Sequence, residues 1–118
     1  MIKLKRSNCV VMPLVLKHKW YDMIDKGDKR EEYRDGTHRY AVRFANFASR
    51  ARMYVGPVLA AEKLKVVAFS RAYTRPDMFW LCNVVFRDAG IYEHREWGEP
   101  TWQAHWVIKL LERVELED

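Results

Sequence analysis

The chain has 118 residues, 49% of them apolar and 14% aromatic, and a formal charge of +5. That size suits one domain with a single ordinary core, and the composition excludes a disordered chain. Residues 1–52 hold 13 basic and 6 acidic side chains, a net of +7, whereas residues 53–118 hold 8 and 10, a net of −2. So basic a first half points to a polyanionic partner, nucleic acid first; a solvated basic surface is the plain alternative.

Residues 1–11 read as a basic tail leading into the first strand. The run KLKR and then CVVMPLVL mimics the start of an export signal. Its apolar part is short, contains Pro13, runs into Lys17, His18 and Lys19, and has no small-x-small site after it. A strand is the better reading. No apolar run approaches membrane-spanning length, so the cytoplasm is the default expectation. Cys9 and Cys82 lie in apolar surroundings, where reduced buried thiols are expected over a disulfide.

Residues 13–35 are the stretch around which the chain is organised. Leu14, Val15 and Leu16 form an apolar strand that ends at Lys17. Trp20, Tyr21, Met23 and Ile24 then recur at helical spacing. Gly27 stops that helix, because glycine enters the left-handed conformation cheaply. The return strand puts Arg30, Glu32 and Arg34 on one face and Lys29, Glu31 and Tyr33 on the other. Charge this dense suggests the polar wall of a cleft.

Asp35, Gly36 and Thr37 form a turn, with Thr37 a candidate helix cap. Tyr40, Phe44 and Phe47 predict an amphipathic helix over residues 38–50, with Arg39, Arg43, Arg50 and Arg52 on its polar side. Residues 55–62 read as a connection with a helical turn after Pro57. Strands follow over residues 64–69 and 78–86, the second buried on much of both faces. Residues 73–77 form a loop, residues 87–100 a long polar loop, and residues 104–111 the closing strand before an acidic end. About five strands with two short helices inserted early predict an α+β fold, a small mixed barrel, in one domain over residues 1–118. A doubly wound parallel sheet fits poorly, since the later strands lack crossover helices.

The spacing Gly27, Lys29, Glu32, Arg34, with Lys17 at the end of the strand before it, resembles the ASCH domain of the PUA-like superfamily. Residues 68–78, AFSRAYTRPDM, are similar to that family's Phe-x-x-Gly-Tyr block, with Ala72 where many relatives have glycine. Residues 96–100, EWGEP, resemble its Glu-Trp-Gly turn. The resemblance implies a PUA-like barrel and a ligand cleft lined by Lys17, Lys29, Glu32, Arg34 and Arg71, with Tyr73 and Trp97 beside them. It also implies, for some relatives, amide hydrolysis of an acylated cytidine or nuclease activity. There Lys29 would match the catalytic lysine, but Glu32 stands where the amidohydrolases have threonine.

Several other chemistries lack their residues. The five glycines form no phosphate loop, the histidines show no metal-ligand spacing, and no serine sits in a nucleophile elbow. No cofactor or metal is expected. The charged set has a chemistry of its own: Lys and Arg neutralise phosphate, a carboxylate accepts from an exocyclic amine, and aromatic rings stack an unpaired base. Each residue also has a plain reading: Glu32 and Arg34 as an exposed ion pair, Lys29 as a solvated turn lysine, Tyr73 as a core tyrosine, Trp97 as a cap on the barrel.

The first expectation is therefore an RNA- or nucleotide-binding domain. The second is a small hydrolase using Lys29 and Glu32. The third is a module whose basic helix, through Arg39, Arg43 and Arg50, docks an acidic protein. Glu32→Gln is expected to leave the fold intact and change ligand choice, since glutamine keeps the shape and one acceptor while losing the charge.

Overall fold

Alternation of apolar and outward residues builds the second strand, β2 (Cys9–Leu16). Val10, Met12, Leu14 and Leu16 point inward, while Pro13 and Val15 stand outward and exposed. β2 runs parallel to β6 (Leu64–Arg71), a strand rich in β-branched residues, in register from Cys9 opposite Leu64 to Leu16 opposite Arg71. β7 (Met78–Arg87) is antiparallel to β6, and β8 (His105–Glu117) is antiparallel to β7. The far edge of β8 is shared: β3 (Glu31–Asp35) lies antiparallel along its first half, and β1 (Ile2–Lys5) lies parallel along its end. The sheet order is β1-β8-β7-β6-β2, with β3 beside β8. The computed structural model describes residues 1–118, apart from the side chains of Met53, Tyr54, Val55 and Ala60.

Two helices close the inner face. α1 (His18–Asp25) contributes Tyr21 and Ile24 to the main core, and α2 (His38–Ala51) contributes Phe44, Phe47 and Ala51. They pack on Leu14, Leu16, Phe69, Met78, Ile108 and their neighbours. A smaller cluster around Cys9, Val66 and Val114 lies apart from the main core. Both cysteines are buried and unpaired. No helix among the described residues is long and apolar enough to cross a membrane.

The architecture is α+β, as expected, but the sheet does not close into a barrel and has more strands than five. The residues read as a basic tail contain β1, which completes the edge beside β8. The acidic end is strand as well: Val114 and Leu116 pair with Ile2 and Leu4 while the charges alternate outward. Residues 52–62 form a hairpin of β4 (Arg52–Val55) and β5 (Val58–Glu62) in place of the expected helical turn. Its tight turn holds Gly56 at φ 60°. β7 is well buried only in its first half; Val85 and Phe86 are exposed.

The opening lies between the outer edges of β2 and β3. Two arginines hold it where a strand pairing would otherwise run. Arg34 Nη2 donates to the Val15 carbonyl at 2.7 Å, and Arg43 Nη2, from α2, donates to the Pro13 carbonyl at 2.7 Å. Proline is tolerated in the middle of β2 because this is an edge, where its missing N–H breaks no ladder bond. At the end of β6, Ala72 has φ 51° and donates its N–H to the Leu16 carbonyl at 2.7 Å. Glycine would enter that left-handed conformation without the strain of a Cβ, roughly 1–2 kcal/mol for an L-residue.

Candidate functional site

The seam between β2 and β3 contains a cavity of about 280 Å³, lined among others by Lys17, Trp20, Glu32, Arg34, Asp35 and Tyr40. Local structure sets each of them. Lys17 follows β2 as the N-cap residue of α1 and is exposed. Trp20 sits in the first turn of α1, and Glu32 and Arg34 share one face of β3 as period-two alternation requires. Tyr40 comes from the first turn of α2. Thr37 holds the N-cap position of that helix without a side-chain cap bond; instead its N–H donates to Asp35 Oδ1 at 3.1 Å.

Glu32 is the centre of the arrangement. It is buried, with Oε1 at 3.0 Å from Lys29 Nζ and Oε2 at 3.0 Å from Arg34 Nη2. Neither the exposed ion pair nor the solvated turn lysine describes these residues: Lys29 is 1% exposed. Lys29 precedes β3, which begins at Glu31, so strand alternation does not govern it and the lysine joins Glu32 and not Glu31. Its ammonium also donates to the Trp97 carbonyl at 2.6 Å and lies 4.1 Å from the centre of the Trp20 ring. Burial lowers the Lys29 pKa, and Glu32 opposes that shift; Arg34 and Lys19 lower it further. All three directions in which an ammonium donates are thus taken by a carbonyl, a carboxylate and an indole face.

Arg34 spans the seam. Besides Val15 and Glu32 it donates from Nη1 to the Tyr40 hydroxyl at 3.3 Å, while its buried Nε–H has no partner among the described residues. Lys19 lies 4.5 Å from the Trp20 ring centre.

The other expected residues lie elsewhere. Arg71 pairs with Asp22 at 2.7 Å and lies 4.3 Å over the Tyr21 ring. Tyr21 itself donates to Asp77 at 2.6 Å; burial first, and then Asp77, push its pKa up to about 12. Tyr73 is 99% exposed in the turn after β6, which excludes a core role. Trp97 serves through its backbone carbonyl, while its ring stacks on His94 at 3.8 Å. Gly98, at φ 83°, makes that possible: a Cβ there would stand 2.6 Å from Trp20 Cζ2. The loop can close over Trp20 and Lys29 only with glycine at this point.

A second buried polar network is not among the residues singled out in the sequence. Arg87, at the end of β7, reaches Glu99 Oε2 at 2.5 Å and Glu31 at 3.1 Å, and the Tyr33 hydroxyl donates to Glu31 at 3.0 Å. Glu99 Oε1 accepts the backbone N–H groups of Glu93 and His94 at 2.8 and 2.9 Å. His105, fully buried, faces the Gln103 carbonyl at 2.9 Å and Glu99 Oε2 at 2.7 Å. A carbonyl and a carboxylate both accept, so the ring satisfies both when it carries both protons. Burial alone would raise the Glu99 pKa, but the hydrogen bonds from Glu93, His105, His94 and Arg87 outweigh it and hold it at about 2. The only sequence signals were the polar ends of two apolar strands, at Arg87 and His105, and neither names its partner.

Ligand atoms of Glu31, Glu93 and His94 lie within 4.8 Å of one another, a spacing that could hold a metal ion. The Arg87 guanidinium already lies 3.1 Å from Glu31 and 3.4 Å from Glu93, so the positive charge there belongs to the protein.

No protein-family model, curated protein or solved structure matches this chain.

Two outcomes follow from these contacts. Glu32→Gln leaves a buried ammonium and a guanidinium without their counter-charge, so it should cost on the order of 3–5 kcal/mol. This replaces the expectation of an intact fold, and urea unfolding checks it: a loss below ~1 kcal/mol would mean the carboxylate behaves as a solvated pair. The Glu99 carboxyl titrates lower folded than unfolded. Its stabilisation, about 3 kcal/mol from the size of the shift, is complete above pH 4.5 and is lost as pH falls toward 2. Carbon-13 titration of the glutamate carboxyls should show Glu99 still ionised at pH 3; a midpoint near 4.5 would contradict the network.

Proposed function

We propose that the chain is an ASCH-like domain, a PUA-like barrel left open along one seam, and that it binds a nucleotide or an unpaired RNA base in that seam. The observation that carries this reading is the make-up of one small cavity. Three aromatic residues (Trp20, Tyr33, Tyr40), two cations (Lys17, Arg34) and two carboxylates (Glu32, Asp35) line about 280 Å³. That volume is at the low end for organic ligands, which start at roughly 300 Å³, and favours a single base over a longer tract.

The roles follow from the chemistry. The exposed ammonium of Lys17 neutralises phosphate as a point charge. Arg34, already oriented by Val15, Glu32 and Tyr40, has one Nη1–H left for a ligand, held in a fixed plane. Each carboxylate oxygen of Glu32 has one protein partner and keeps acceptor capacity for an exocyclic amine. Trp20 and Tyr40 offer stacking surface, Trp20 once a base displaces the exposed Lys19 side chain from its ring. Lys29 supports binding over hydrolysis: its ammonium is enclosed by Trp97, Glu32 and Trp20, and it holds the cleft wall from behind.

Calorimetric titration with the four nucleoside monophosphates and their nucleosides at low salt tests the reading. Nucleotides should bind, and more weakly as salt rises. Lys17→Ala should weaken the nucleotides and leave the nucleosides unchanged, because it removes only the phosphate contact. Absence of binding by every nucleotide, or equal effects on nucleotides and nucleosides, would sink the assignment.

A further inference from the structure

A second groove lies along the same edge of β2, on the side of α2. It is a cavity of about 190 Å³ lined by Val11, Pro13, Arg43, Asn46, Phe47 and Arg50. We propose that this groove is a phosphate track, which carries the neighbouring nucleotides of a single strand whose base occupies the seam cavity. The inference rests on the nucleotide reading above and narrows its ligand from a free nucleotide to single-stranded nucleic acid.

The two cavities follow one another along β2 and α2, and the proposed strand runs through both. The seam cavity touches Val15, Leu16 and Lys17 of β2 and its end; the second touches Val11, Met12 and Pro13 of the same strand. From Val11 to Lys17 the strand covers roughly 20 Å at 3.3 Å per residue. On the opposite wall, Tyr40 belongs to the first cavity and Arg43, Asn46 and Arg50 to the second, all on α2. Tyr40 joins them physically: Arg34, Arg39 and Arg43 lie 5.9, 5.6 and 5.9 Å from its ring centre.

Charge decides what the channel takes. Residues 1–21 contain no carboxylate, and neither do residues 36–61, so both β2 and α2 are free of acid. Among the described residues, Arg39, Arg43 and Arg50 form no ion pair. Three guanidiniums around one phenol ring repel one another, and Glu32 compensates only Arg34. Arg43 spends one donor on the Pro13 carbonyl, which fixes its plane and leaves most of its N–H groups for an anion. Arg50 stands roughly 10 Å further along the helix, seven residues at 1.5 Å each. A basic channel with aromatic rings at one end is the arrangement that follows a single-stranded backbone and stacks its base. An acidic protein could pair with the arginines but would have no use for the stacking end.

The test compares a short oligouridylate, its single-stranded DNA counterpart and UMP. The variant Arg50→Glu/Asn46→Asp changes two exposed side chains of the track, touches no core residue and should fold. The unmodified protein should bind both oligonucleotides at least about tenfold more tightly than UMP, with a steeper salt dependence. The variant should lose about tenfold for both oligonucleotides, with the salt slope reduced by about 0.7 for each phosphate contact removed, and keep its UMP affinity. Arg50→Lys should restore most of the oligonucleotide affinity. If UMP binds but the oligonucleotides bind no more tightly, or if the variant leaves their affinity unchanged, the track is overturned while the seam cavity stands. The basic face of α2 would then belong to an acidic protein. If neither UMP nor oligonucleotide binds, the track and the nucleotide reading fall together.

Discussion

The Glu32 carboxylate is the contact on which the open seam depends. It is buried between an ammonium and a guanidinium, and through them it reaches four pieces of chain. Lys29 ties it to the loop carbonyl of Trp97 and to the indole of α1; Arg34 ties it to the edge carbonyl of β2 and to the first turn of α2. Two cations on one carboxylate leave local positive charge. A strand pairing across the seam would have satisfied the edge of β2 and closed the cleft. A guanidinium from β3 and another from α2 satisfy two of its carbonyls instead and leave room between them.

The second network holds the loop that covers Lys29. Glu99 gathers two backbone N–H groups, the Arg87 guanidinium and the His105 ring, so residues 93–99 are fixed to the ends of β7 and β8. Glu31 and Glu32 are neighbours in sequence but face opposite ways on β3, one toward Arg87 and the other toward Lys29 and Arg34. The short strand therefore belongs to both networks at once. Two carboxylates, Glu31 and Glu99, meet the Arg87 guanidinium there, and the His105 ring lies against Glu99.

Much of the scaffold was legible in the sequence because periodicity reports it directly. The helix after Lys17, its stop at Gly27, the helix from His38 and the apolar strands through Phe69 and Trp80 lie where their patterns predict. The end strands were not legible, for physical reasons. In β1 and the last part of β8 the pairing is with each other, so each alone reads as a charged tail. The site was legible in part. Lys17, Glu32 and Arg34 do converge on one cavity, while Arg71 and Tyr73 are held or exposed elsewhere. Period-two alternation separates Lys29 from Glu32, and only the turn after Gly27 brings them together. By spacing Tyr40 is one member of an apolar stripe; its hydroxyl and ring face reach arginines that sequence spacing alone does not bring together. Arg87, Glu99 and His105 come from the ends of different elements, and no pattern within one element can link them.

Nuclear magnetic resonance can locate the ligand on the protein itself. The seam competes as the place of binding with a larger cavity of about 600 Å³ lined by Tyr92, Arg95 and Trp102 on the long loop, which lacks the seam's lysine and carboxylates. Side-chain N–H resonances of Trp20, Trp102, Arg34 and Arg95 distinguish them during titration with a nucleoside monophosphate. The account predicts that the Trp20 indole and the Arg34 Nε–H move together and saturate at one affinity, while Trp102 and Arg95 stay where they are. Movement of Trp102 and Arg95 with Trp20 and Arg34 unchanged would contradict it.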